Sequence, residues 1–106
     1  MEGIKVDILE FIDESQPGWV KCVFYDAYGK ECFVIEKVPI VTDEFLDSQS
    51  EYPKIGFIAG KISDIRIDNN SRTITTIDLN IPWGVSDVNG QTLFDVYLDQ
   101  IVQINV

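Results

Sequence analysis

Trp19-Val20-Lys21-Cys22-Val23-Phe24-Tyr25, Asp26-Ala27-Tyr28-Gly29-Lys30 and Glu31-Cys32-Phe33-Val34-Ile35-Glu36-Lys37-Val38 follow one another without interruption. The outer two stretches are rich in β-branched and aromatic residues. The five residues between them form a tight connection in which Gly29 can take a positive φ. Together they predict a β-hairpin. Pro39 cannot donate to a ladder, so strand pairing is expected to weaken there.

On the N-terminal side, Ile4 to Ile12 reads as an earlier strand. Ile4, Val6 and Ile8 alternate with Lys5 and Asp7, and then Leu9 and Phe11 take over on the opposite phase. Such a change of phase predicts a bulge or a strand bent around a corner. Gln16-Pro17-Gly18 supplies the turn into the hairpin.

On the C-terminal side, Thr42 to Lys54 breaks the β pattern. Thr42 is expected to cap a short helical turn, with Asp43 and Glu44 at its positive end and Phe45 and Leu46 turned inward. Ile55 to Ile67 then reads as one long strand, in which Gly56 and Gly60 suggest close backbone approach or curvature. Asp68-Asn69-Asn70-Ser71 makes a second hairpin turn into Arg72 to Ile81. Pro82-Trp83-Gly84 interrupts, Val85 ends a short strand, Asn89-Gly90 marks another turn, and Thr92 to Val106 forms the last run with a phase change near Ile101. No window sustains helical spacing over three turns. The pattern predicts an all-β domain, a small six-stranded antiparallel, bulged barrel with one short helical turn, with a β-sandwich as the alternative.

The 106 residues fit a single domain, and an apolar fraction of 45% suffices for one hydrophobic core. Eighteen acidic side chains stand against eight basic ones, a net charge of −10, and there is no histidine. This balance opposes nucleic-acid binding, which needs clustered cations to displace counterions. It equally opposes docking on an anionic membrane, and no apolar run approaches the ~20 residues that span a bilayer. It permits a basic protein partner drawn in by electrostatic steering. The N-terminus shows no basic start followed by an apolar run, so a cytoplasmic location is expected, with Cys22 and Cys32 reduced. Their hairpin makes a bridge geometrically possible, but the compartment argues against one.

Without histidine, the serine and cysteine triads are excluded, as are histidine-based zinc sites. No glycine-rich phosphate cradle is present, and no cofactor is expected. Carboxylate pairs such as Asp95 with Asp99, or Glu36 with Asp78, remain the one enzymatic device, but their spacing matches the solvated face of alternating strands. Asp43, Glu44, Asp47 and Glu51 form an acidic cluster whose spacing does not fit a calcium loop; turn and capping roles account for such residues. Trp19, Tyr25, Tyr28, Tyr52 and Trp83 fall at strand ends and turns, where aromatics either plug a barrel end or anchor an interface.

At Asp26-Ala27-Tyr28-Gly29, Glu36-Lys37-Val38-Pro39-Ile40-Val41, Pro82-Trp83-Gly84-Val85, Gly90 and Phe94-Asp95-Val96, the chain resembles a group of short uncharacterised bacterial all-β proteins. The resemblance implies a small bacterial β protein and carries over no catalytic residue. The expectation is a non-catalytic interaction protein, of the immunity or antitoxin kind, binding a basic partner through an acidic surface. The candidate interface is Trp19, Tyr28, Asp43, Glu44, Asp47, Glu51, Tyr52 and Trp83. A small-ligand or carboxylate-based barrel is the alternative.

Overall fold

The alternation of Ile4, Val6 and Ile8 against Lys5 and Asp7 places three branched side chains on one face of the first strand, where all three are buried. That strand, β1 (Glu2–Asp13), is the centre of the molecule. A computed structural model describes residues 1–104. Two further strands, β2 (Trp19–Tyr25) and β3 (Glu31–Lys37), form the expected hairpin in register from Trp19 opposite Lys37 to Tyr25 opposite Glu31, and Gly29 has φ 81°. The pairing of β1 with β2 slips between Ile8 and Glu10, the bulge that the phase change predicts.

The run from residue 55 to 67 is two strands, not one. β4 (Lys54–Ala59) pairs with β1, and after Gly60 the chain passes into β5 (Lys61–Ile67), which pairs with β6 (Thr73–Asp78) in a separate sheet. The break falls where a Cβ on Gly60 would lie 2.7 Å from Ile77, so the chain presses too closely on β6 to carry a side chain. β7 (Leu93–Tyr97) completes the second sheet. A 3-10 turn over Leu98–Gln100 then leads to β8 (Ile101–Gln103) beside the start of β1. The last run expected from the sequence is therefore broken near Ile101, and its final two residues lie outside the described residues.

The architecture is thus eight strands in two antiparallel sheets, a five-stranded one in the order β3-β2-β1-β4 with β8 also on β1, and a three-stranded one in the order β5-β6-β7. The six-stranded barrel expected from the sequence is not seen in that form, and no closed barrel is found among the described residues. Ile4, Val6, Ile8, Val20 and Ile58 from the first sheet and Ile77, Phe94 and Val96 from the second belong to a single buried cluster. Phe24 and Phe94 meet edge to face across it, with ring centroids 5.1 Å apart.

The helical turn is also displaced. It is α1 (Val38–Val41), capped by Lys37 instead of Thr42 and so five residues before the expected place, with Pro39 in its first turn, where a missing N–H costs nothing. Thr42 ends this helix instead of starting one, and its hydroxyl accepts from the Glu44 N–H at 3.1 Å. Leu46 is buried as expected, but Phe45 points outward and is 84% exposed. Val85 is fully buried in an irregular segment and belongs to no strand.

Cys22 and Cys32 lie on the same inner face of the hairpin and are free thiols. Burial, and then the charge of Glu36, push the Cys22 thiol up to about 12. Among the described residues, two buried side-chain oxygens lack a hydrogen-bond partner, Asp87 Oδ2 and the Thr75 hydroxyl. Thr75 on β6 is fully buried, and its hydroxyl has no hydrogen-bond partner. A desolvated, unpaired hydroxyl is costly. Thr75→Val is therefore expected to stabilise the protein by about 1 kcal/mol in urea unfolding; a destabilised variant would mean that the hydroxyl has a partner in solution.

Candidate functional site

β4 is the last strand of its sheet, with β1 on one side and no strand on the other. In an antiparallel pair, successive residues bond alternately to the partner and away from it. The Gly60 N–H donates to Glu2 O at 3.0 Å, and the register then sets Ile58, Gly56 and Lys54 opposite Ile4, Val6 and Ile8 as the bonded positions. The N–H and C=O groups of Ile55 and Phe57 therefore point to the open edge, while Ala59, which has the same outward phase, is buried. No hydrogen bond to them exists among the described residues.

The side chains of Ile55 and Phe57 lie on the outer face and are exposed, opposite Asp7 and Lys5. On the inner side, α1 packs under the strand so closely that a Cβ on Gly56 would lie 2.7 Å from Val41 O. The segment leaving α1 carries Thr42, Asp43 and Glu44 along the same edge. Between the two runs a groove of about 780 Å³, lined also by Trp83 and Ile104. Its floor is apolar and its inner rim carries two carboxylates.

Half-buried Lys54 lies 3.9 Å from exposed Glu44 in an ion pair. Such a pair contributes little and is readily exchanged for another cation. Elsewhere four of the other seven basic side chains are engaged. Arg66 pairs with Asp64 and Asp95, Arg72 with Asp68, and the Lys21 and Lys37 ammonium groups sit over the rings of Phe33 and Trp19. Most of the net charge of −10 is left as solvent-facing carboxylates.

Of the residues singled out from the sequence, Asp43, Glu44 and Trp83 are brought together in this groove. The other five are not. Trp19 is half-buried at the start of β2 beneath Lys37. The Asp47 carboxylate accepts from the Gln49 N–H and the Ser50 hydroxyl, and the Tyr52 hydroxyl donates to Asp47 O at 2.8 Å, so both tie a local turn together. Glu51 is exposed beside them. Ile55 and Phe57 escaped the sequence reading because alternation cannot tell an edge strand from a central one. A signal was present nonetheless: Lys54 to Ala59 is apolar on both phases, and a strand with two apolar faces needs a cover for each.

Tyr28 is 71% exposed, yet its hydroxyl is committed within the molecule. It donates to Asp95 Oδ2 at 2.7 Å, Arg66 donates to the same oxygen at 2.7 Å, and the Thr76 hydroxyl donates to Oδ1 at 2.6 Å. With Ala27 N–H on Asp95 O and the Tyr97 hydroxyl on Ala27 O, this network pins the β2–β3 turn onto β7. Asp95 therefore serves as a structural anchor rather than half of a carboxylate pair. Burial alone would raise its pKa, but the hydrogen bonds from Thr76, Tyr28 and Arg66 outweigh it and hold the carboxyl below its ordinary 3.8. A depressed folded-state pKa contributes stability above the unfolded value that is lost as the pH falls through the folded one. Acid unfolding of Asp95→Asn is accordingly expected to depend less on pH below that ordinary value than unfolding of the wild type. Parallel curves would show that Asp95 gains nothing on folding.

Comparison with known protein families, curated proteins and solved structures finds no match to this chain.

Proposed function

We propose that this chain is a non-catalytic interaction protein that binds a basic protein partner through its acidic surface, in the manner of an immunity protein or antitoxin. The observation that carries this reading is the groove beside β4, where Asp43 and Glu44 stand over an apolar floor with Ile55, Phe57 and Trp83 exposed. Exposed aromatic and aliphatic anchors beside exposed carboxylates are the ingredients of a steered protein interface. The net charge of −10 favours a cationic partner and disfavours nucleic acid. The free thiols of Cys22 and Cys32 fit a reducing, cytoplasmic setting.

The test is capture from a lysate of the source cell with the tagged protein, at low and then at moderate salt, with bound proteins identified by mass spectrometry. A basic protein retained at low salt and shed as salt rises supports the reading. Retention that is insensitive to salt would remove its electrostatic part.

A further inference from the structure

We infer that the partner of the β4 groove is an extended basic segment that adds to the sheet as a further strand, with its backbone on the open edge of β4. This rests on the basic-partner reading above and specifies how the contact is made. Three observations converge on it. The outward N–H and C=O groups of Ile55 and Phe57 have no partner among the described residues and both residues are exposed, and an unpaired edge of this kind is a template for another strand. Both residues line the groove, so the concavity runs along the edge itself. The two walls differ in chemistry. An added strand would set alternate side chains against apolar Ile55 and Phe57 on the outer face and against Asp43 and Glu44 on the inner side.

Charge decides the occupant. A second copy of this chain would bring another −10 to the edge, and two such surfaces repel. The nearby cations are Lys54, already beside Glu44, and Lys5 on β1, which faces Asp7's side of the sheet, so the site is not self-neutralised by an excess of base. A strand alternating basic and apolar residues satisfies both walls.

The test uses the full chain and a capped peptide alternating lysine and valine, about 20 Å long when extended and so matched to β4. Its control is the same peptide with every backbone amide N-methylated. Binding is measured by calorimetry at low salt. The parent peptide is expected to bind and the methylated one to bind at least roughly tenfold more weakly, since several backbone hydrogen bonds are lost. On the protein side, Phe57→Pro removes only an N–H that faces the open edge, and Phe57→Ala controls for the lost ring. Phe57→Pro is expected to weaken binding about tenfold beyond Phe57→Ala. The peptide comparison on wild-type protein keeps the test decisive should the proline variant misfold.

Equal binding of the two peptides overturns strand addition while leaving a basic partner in place, because attraction by charge alone ignores amide methylation. Absence of binding by either peptide also overturns strand addition, and the salt-dependent capture then judges the basic partner separately. A wild-type dimer in sedimentation that Phe57→Pro dissolves would give the edge to a second copy and overturn the proposal.

Discussion

Phe94→Ala is expected to lower the stability of this protein by about 4 kcal/mol, a large part of the ~5–15 kcal/mol that holds a domain of this kind together. Phe94 is 1% exposed on β7 and meets Phe24 of β2 at an interplanar angle of 82°. It is thus one of the side chains through which the two sheets share a core. Truncation removes its transfer free energy, leaves a cavity and breaks an aromatic pair worth roughly 0.5–1.5 kcal/mol. In urea the unfolding midpoint should fall by about 2–3 M for an m-value near ~1.5 kcal/mol/M. Phe94→Leu retains most of the volume and should lose less than about 2 kcal/mol. A loss under about 1 kcal/mol for the alanine variant would mean that the sheets do not depend on a common core.

Gly56→Val is the second large effect, with an expected loss of about 3 kcal/mol. A Cβ at this position would lie 2.7 Å from Val41 O and 2.8 Å from Ile8 Cδ1. The first contact is with backbone and cannot be relieved by a rotamer change. The substitution therefore forces α1 away from β4, and with it the Asp43–Glu44 rim of the groove. Thermal unfolding should report the loss of stability, and partner capture should weaken in parallel. Wild-type stability in Gly56→Val would show that α1 does not press on the strand.

The contrast between these positions and the turns explains how much of the fold was legible beforehand. The β2–β3 hairpin, the bulge after Ile8 and the turns at Gly29 and Gly90 follow from local chemistry, and the positive φ of 81° and 83° at the two glycines is local too. The change of sheet at Gly60 is not local. It depends on Ile77 pressing against the chain from a strand more than ten residues away, so an uninterrupted β-type run from Ile55 to Ile67 reads as one strand. Whether the sheets close into a barrel depends in the same way on which edges meet. The misplaced helix has another cause. Thr42-Asp43-Glu44 has the composition of a helix start, and Thr42 does accept a backbone N–H, but Pro39 had already begun the turn. Phe45 then falls on the solvent side.

The site was half legible for related reasons. Asp43, Glu44 and Trp83 stand out by residue type, since carboxylates and tryptophan signal surface and interface wherever they lie. Tyr28 carries the same signal for a different reason, its hydroxyl being held in the Asp95 network. Ile55 and Phe57 look like core residues in the sequence. Their place on the outer face of the sheet, opposite Asp7 and Lys5, leaves them exposed.

If a basic protein binds at the Asp43–Glu44 groove, charge reversal at those two positions should abolish the binding. Both side chains are exposed, so Asp43→Lys with Glu44→Lys should leave the fold intact. Tagged wild type and the doubly reversed protein are compared in capture from the same lysate at low salt. The prediction is that a basic protein held by the wild type, and shed at moderate salt, is absent from the reversed variant. Equal retention by both proteins, or no protein retained by the wild type, would contradict it.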